Sequence, residues 1–284
     1  MFTKIKNYLL IIMLAGMSLM ALVFFIVALI YPTLPNVSHL QQYRPKEPLQ
    51  IFSQEGLLIA EFGEERRDHV LIQNVPQKMI NAILAIEDRR FFEHPGIDIV
   101  GVLRAALKNI SGQGHEGAST ITMQVARNFF LSSERTFKRK INEILLAIKI
   151  EDSLSKEEIL ELYVNQIYLG QRAFGFSAAA NAYFNKSLDE LNLAESALLA
   201  GLPKAPSRYN PLINPELAIQ RQQAVLRSML RHGYIDNPTY QIALEEPINL
   251  RDSVSKRELK ADYVAEMVRQ ELYAEFGEAI YTSG

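Results

Sequence analysis

Residues 77–92, QKMINAILAIEDRRFF, place Ile80, Ile83, Leu84 and Phe91 on one stripe of a helix, spaced by threes and fours. Glu87 falls in the same stripe. A carboxylate on a core-facing stripe is partly desolvated, which raises its pKa toward the range of a base working near neutral pH. The alternative is an ion pair between Glu87 and Arg90 along the helix surface.

Downstream of Pro76 the chain reads as helical. Asp98 caps a helix over 99–110, and 119–131 and 137–152 carry helical periodicity. Ser155-x-x-Glu158 is a capping box opening a helix through Ile159, Leu160, Tyr163 and Ile167, and Ser187-x-x-Glu190 is expected to open another through Leu191, Ala194 and Leu198. Residues 111–118 form a polar loop and 201–216 a Pro-rich one. A helix over 216–232 follows, and helical periodicity returns in 259–284. The stop at Tyr-Thr-Ser-Gly predicts a chain cut from something longer.

Upstream, LQIFSQEGLLIAEF (49–62) predicts two short strands around a Gln54-Glu55-Gly56 turn, and the Pro-rich 32–48 an extended linker. Residues 8–31 carry no charge. As a helix they run about 36 Å, enough for a hydrocarbon core of about 30 Å. Lys4 and Lys6 make residues 1–7 a cytoplasmic tail and place the remainder outside. A cleaved signal peptide has a shorter apolar core and a small-residue cleavage site, whereas this run ends Leu29-Ile30-Tyr31-Pro32, so an uncleaved anchor is predicted.

Composition narrows the function classes. The 284 residues are 48% hydrophobic and 22% charged, which excludes wholesale disorder. A net charge of −2 argues against a nucleic-acid binder, and the absence of Cys excludes a disulfide scaffold or thiolate metal site. Gly112-x-Gly114-x-x-Gly117 matches a dinucleotide fingerprint, but a helix rather than a strand precedes it. Ser153-x-x-Lys156 and Ser253-x-x-Lys256 lack the companion motifs of penicillin-reactive serine enzymes, and the five His show no metal spacing.

Two further stripes carry chemistry. Thr120, Gln124 and Arg127 share one helix face, with Ser119 read as the N-cap. Free backbone N–H groups, hydroxyls, an amide and a guanidinium suit phosphate oxygens, the alternative being a solvated face. Arg135, Lys138, Arg139 and Lys140 interleave with Phe129, Phe130, Leu131 and Phe137, a composition suited to anionic lipid headgroups. Glu143, four residues after Arg139 and three after Lys140, reads either as a surface salt bridge or as a second acid in a cationic cleft.

Together these segments resemble a known family. Glu87-Asp88-Arg89-Arg90-Phe91-Phe92-Glu93-His94-Pro95-Gly96 resembles the first signature of the peptidoglycan glycosyltransferases, the family 51 lysozyme-like domain of class A penicillin-binding proteins. Residues 117–128, GASTITMQVARN, resemble the second signature, and Arg139-Lys140-Ile141-Asn142-Glu143 the third. Residues 156–165, KEEILELYVN, reaching Gly170, resemble the fourth, and AAANAYFNK at 178–186 the fifth. The five occur in family order, and the anchor with Asn128-Phe129-Phe130-Leu131-Ser132 looks most like the 1A-type bifunctional members. The family usually has Gln where Met123 stands and Gly where Asn185 stands.

The resemblance implies a mainly α fold: a lysozyme-like helical lobe plus a small membrane-facing lobe at about 111–140, within a glycosyltransferase domain at 49–250. Residues 251–284 then begin a linker toward a C-terminal transpeptidase region. It implies polymerisation of lipid II on a growing lipid-linked glycan, forming β-1,4 links with inversion at the donor anomeric carbon and releasing undecaprenyl diphosphate. Glu87 is then the base. Asp88, Ser119, Thr120, Gln124, Arg127, Arg139, Lys140 and Asn165 bind substrate, and Phe129, Phe130, Leu131 and Phe137 contact membrane lipids. Glu143 either positions the cations or holds a divalent metal. Mg²⁺ or Mn²⁺ assistance fits the chemistry, although no clear ligand set is encoded. The implied location is the cytoplasmic (inner) membrane, single-pass, with the domain periplasmic and open to cell-wall synthesis regulators as partners. The competing readings are a lytic, lysozyme-like enzyme and a non-catalytic membrane-tethered scaffold.

Overall fold

The computed structural model describes residues 2–43, 48–63, 65–111, 117, 119–131, 134, 136–251 and 261–281. Helix α1 (Phe2–Ile30) is the one helix among them long and apolar enough to cross a membrane, with a mean hydropathy of 2.1 over Gly16–Thr33. Two short 3₁₀ turns follow, Tyr31–Thr33 and Ser38–Gln42. Within the segment expected to be an extended linker, the described residues 32–43 fold onto the body: Leu34, Val37 and Leu40 are buried in the main core. Lys149 donates to the Pro35 carbonyl at 3.0 Å, and Tyr43 donates to Gln166 at 3.0 Å. Proline stiffens this segment, but its apolar side chains find a surface to cover, and burial overrides extension.

The expected hairpin is present as β1 (Leu49–Phe52) and β2 (Leu58–Phe62), paired antiparallel. A two-stranded hairpin alone is marginal in water. This one packs Leu49, Ile51 and Ile59 against Ala265 and Ile280, a small core separate from the main one. A boundary at 250 therefore divides residues that pack together. Strand β3 (Arg66–Arg67) pairs in parallel with the later β4 (Ala173–Phe174).

The helical body begins with α2 (Gln77–Glu87). The expected helix to residue 92 stops five residues sooner, because Asp88 turns out at φ −160°, ψ 78° and residues 89–96 form turns. Phe91 still reaches the core, 1% exposed, from the turn. Then come α3 (Ile99–Ile110), α4 (Ile121–Phe130), α5 (Phe137–Ser153) and α6 (Lys156–Gln166). Asp98, Thr120, Thr136 and Ser155 each cap a helix through the side chain, and Ser155 with Glu158 completes the expected capping box.

After α7 (Phe176–Phe184), the predicted start at Ser187-x-x-Glu190 is a side-chain-closed turn, with Glu190 accepting from the Ser187 backbone at 2.8 Å. The real box is Asn192 with Glu195, opening α8 (Leu193–Gly201). Both tetrads fit the pattern, and only the second precedes an uninterrupted apolar run. Helix α8, buried from Ala194 to Gly201, packs against α2 and against α9 (Pro215–Arg231), while α4 packs on α5 and α6. Helices α10 (Asn237–Glu245) and α11 (Asp262–Phe276) complete the chain, the first unforeseen in the sequence.

The exposed apolar surface expected over 111–140 begins earlier in the chain. Ile99, Val100, Val102, Leu103 and Leu107 on α3 are all exposed, whereas α4 supplies Ile121, Val125 and Ala126 to the core.

Candidate active site

Glu87 is the last residue of α2, and its side chain is 13% exposed. Gln124 of α4 donates from Nε2 to Glu87 Oε2 at 2.7 Å. Arg221 of α9 places Nη2 3.8 Å from Oε1. Burial holds the Glu87 carboxyl above the usual carboxylate range, against the opposing pull of the Gln124 hydrogen bond and of Arg221 and Arg127. A helix C-terminus is also the less favourable end for a negative charge. Arg90, the alternative partner, is engaged elsewhere, by Glu93 at 2.8 Å and Asp98 at 3.1 Å. Tyr163 lies near Glu87, fully buried, its hydroxyl unpartnered among the described residues and its pKa driven well up by burial and by the Glu87 charge.

The turn after α2 is pinned to the start of α4. Asp88 accepts from the Ile121 backbone at 3.0 Å and bonds His94 Nε2 at 3.0 Å through both oxygens. Thr120, rather than the expected Ser119, is the N-cap of α4; it donates to the Gly96 carbonyl at 2.6 Å and accepts from the Met123 backbone. Gly96 sits at φ 86°, and a Cβ there would meet the Ala147 carbonyl at 3.0 Å, so only glycine lets this turn lie against α5.

Ser119 instead accepts from Lys140 Nζ at 2.9 Å. Lys140 also reaches Glu143 Oε1 at 2.8 Å, and Arg139 reaches Oε2 at 2.8 Å. Glu143 is 1% exposed, with both oxygens held by cations. That donor set does not fit a metal site, since an incoming ion would have to displace two cationic donors, a guanidinium and an ammonium. Among the described residues no group of three or more His, Asp or Glu could hold a metal ion.

The structure thus brings Glu87, Gln124 and Arg127 together, and Ser119, Arg139, Lys140 and Glu143 together. Arg127 lies near enough to Glu87 for its charge to lower the carboxyl's pKa. Asp88, Thr120 and Asn165 are otherwise occupied: Asn165 accepts from the Val70 backbone at 2.9 Å and donates to the Val70 and Glu161 carbonyls. Their polar atoms hold chain segments together around the site. Met123, 2% exposed, is buried, so its departure from the usual Gln concerns packing rather than a cleft hydrogen bond.

Phe129, Phe130 and Leu131 are half-buried against the main core, with Phe129 edge-on to Tyr43 and Phe130 edge-on to His39. Of the four expected membrane-contact residues only Phe137 is fully open, 94% exposed. Arg135 lies outside the described residues.

Arg221 was missed, although its signal was of the same kind as that of Glu87. It falls three residues after Ala218 and four before Val225, both buried, so a charge stands on the core stripe of α9.

A family model described as transglycosylase matches residues 55–230. Penicillin-binding protein 1A from Neisseria meningitidis serogroup A is 55% identical over 255 residues, covering 89% of this chain and 32% of its own length. The protein of the same name from Pseudomonas aeruginosa is 51% identical over 254 residues, covering 89% and 31%. The crystal structure of penicillin-binding protein 1A from Haemophilus influenzae matches at 37% identity and a TM-score of 0.50, covering 85% of this chain and 26% of that one. The chain spans about a third of the length of the curated relatives it matches. The mainly helical, lysozyme-like architecture agrees with that structural neighbour. By the match across residues 55–230, the chain belongs to the transglycosylase family.

Proposed function

We propose that this chain is a peptidoglycan glycosyltransferase that polymerises lipid II into β-1,4 glycan strands with inversion at the donor anomeric carbon. The observation that carries the reading is Glu87: a desolvated carboxylate with one oxygen held by Gln124 and the other, Oε1, without a direct hydrogen bond among the described residues.

The chemistry follows from that arrangement. The acceptor sugar hydroxyl gives its proton to Glu87, its oxygen bonds to the donor anomeric carbon, and the bond from that carbon to the diphosphate breaks. The electron pair leaves with undecaprenyl diphosphate. A positioned base of this kind contributes about 10²–10⁴-fold. The leaving diphosphate needs cations more than a proton, and Arg139, Lys140 and Arg127 are the groups suited to it, with Ser119 and Gln124 beside them. Glu143 holds Arg139 and Lys140 in place. Asp88, Thr120 and Asn165 fix the segments on which the site is built.

Both substrates carry lipid tails, which gives α1 its purpose. In this reading residues 1–7 are cytoplasmic, 8–31 span the inner membrane once, and the catalytic body is periplasmic. The exposed apolar face of α3 and Phe137 lie toward the lipid. Residues 251–284 lead toward a transpeptidase region, as the greater length of the relatives supports.

The test is a polymerisation assay with labelled lipid II, using the whole chain in detergent and in vesicles, with and without Mg²⁺ or Mn²⁺. Long glycan with β-1,4 links is expected. Release of soluble fragments from purified glycan, without polymerisation, would favour the lytic reading, and inactivity in every condition would favour a scaffold.

A further inference from the structure

The reading of Glu87 as a base leaves open which oxygen takes the proton and what holds it ready. Oε2 is engaged by Gln124 at 2.7 Å. Among the described residues the cation nearest to Oε1 in an ion pair is Arg221, whose Nη2 stands 3.8 Å away, close enough for charge to act and too far for a direct hydrogen bond.

Arg221 is itself tightly placed. Its side chain is 11% exposed, its Nε donates to the Gly201 carbonyl at 3.0 Å, and its guanidinium lies 5.9 Å from the Tyr209 ring. A Cβ on Gly201 would come within 2.8 Å of Arg221 Cγ, so glycine at the end of α8 makes the slot. Burying a guanidinium is costly unless something compensates. The Gly201 carbonyl, at Nε, and the Glu87 carboxylate, nearest Nη2, supply that compensation.

We propose that Arg221 is a positioning residue for the reaction: anchored on Gly201, it sets its positive charge beside Glu87 Oε1 and presents that oxygen as the proton acceptor. This rests on the glycosyltransferase reading above. The charged and titratable groups facing Glu87 are Asp88 beside it, Arg127 from α4, Tyr163 from α6 and Arg221 from α9, with Gln124 as the neutral donor. Both arginines favour the carboxylate, and Asp88 opposes it. Removing Arg221 therefore moves the Glu87 titration upward, and the acid limb of the rate profile with it.

The experiment uses the whole chain in detergent as wild type, Arg221→Gln and Arg221→Lys. Two quantities are read: kcat/KM on labelled lipid II across pH, and the Glu87 side-chain carboxyl titration by ¹³C NMR without substrate, assigned against Glu87→Gln. In Arg221→Gln the loss is expected to be about tenfold greater at the acid end than at the alkaline end, with the carboxyl titrating at higher pH and Arg221→Lys restoring most of both. A uniform loss at every pH, with the carboxyl titration unmoved, would reduce Arg221 to a packing residue and overturn the proposal. Should Arg221→Gln not fold, Gly201→Ala decides: pushing Arg221 aside moves the titration in the same direction, and an unmoved titration overturns the proposal. Failure of the wild type to polymerise lipid II sinks the glycosyltransferase reading instead, because the carboxyl titration is read independently of turnover.

Discussion

Glu87 and Glu143 are both buried glutamates in the same helical body, yet their surroundings differ in kind. Glu143 has both oxygens in 2.8 Å contacts with Arg139 and Lys140, so its charge is fully answered. Glu87 has one 2.7 Å hydrogen bond to a neutral amide and a cation at 3.8 Å, and burial outweighs them. A carboxylate with a cation on each oxygen is oriented by its partners, holds them in turn, and serves as a strut. One that is incompletely paired keeps a basic oxygen and a raised pKa, as proton transfer requires.

The largest expected effect separates these roles directly. Glu87→Gln keeps the shape and the Gln124 contact but cannot take a proton, so lipid II polymerisation should fall by about 10²–10⁴-fold. Stability should hold or rise. The folded pKa of Glu87 lies above its unfolded value, so the ionised form is the one folding disfavours, and that penalty develops as pH rises from the unfolded pKa through the folded one. Gln mimics the neutral form, so its advantage in a chemical melt should appear near neutral pH and fade at acid pH. A destabilised Glu87→Gln at pH 7 would break the comparison.

Glu143→Gln should behave in the opposite way. Removing one member of a buried pair commonly costs about 3–5 kcal/mol. Lys140 is 39% exposed and regains water, so about 2–3 kcal/mol is expected here, read as a lowered unfolding midpoint. Turnover should fall because Arg139 and Lys140 lose their alignment, with no displacement of the acid limb in the pH profile. A displaced acid limb would mean that Glu143 titrates in catalysis, and the distinction between strut and base would fail.

Glu87 was legible in the sequence as a candidate because a charge on an apolar stripe is a local anomaly. The same signal stood at Arg221 on α9, but a stripe read only as a helix does not announce which distant carboxylate its odd member will meet. The hairpin, the capping box at Ser155 and the helices around the site followed from short-range pattern. What sequence could not supply was competition between similar signals. Thr120 displaced Ser119 as the N-cap because Gly96 and the Met123 backbone both lie within its reach. Asn192 displaced Ser187 because Glu195, its box partner, also neutralises Lys186 at 2.7 Å in the core. The linker docked because Leu34, Val37 and Leu40 found a surface that no local window contains. Asp88, Thr120 and Asn165 stand within family signatures, and only coordinates reveal that their polar atoms face inward.

The smallest expected effect calibrates the other two, since the Glu87 and Glu143 predictions depend on reading stability and turnover apart. Asn185 closes α7 at φ 56°, ψ 43°, a left-handed position, with its backbone N–H bonded to the Asn181 carbonyl. Its side chain is exposed. Glycine adopts this conformation without the Cβ penalty, which Asn bears in reduced form. It also gains freedom in the unfolded chain, which takes back part of the benefit. Asn185→Gly should therefore raise stability by about 0.5 kcal/mol, or about 1–2 °C in Tm for a body of this size. The pH profile and kcat/KM on lipid II should be unchanged. A shift in turnover from this distant cap would show that stability and catalysis are coupled throughout the body. The separate behaviour of Glu87→Gln and Glu143→Gln could then no longer be assigned to the two carboxylates themselves.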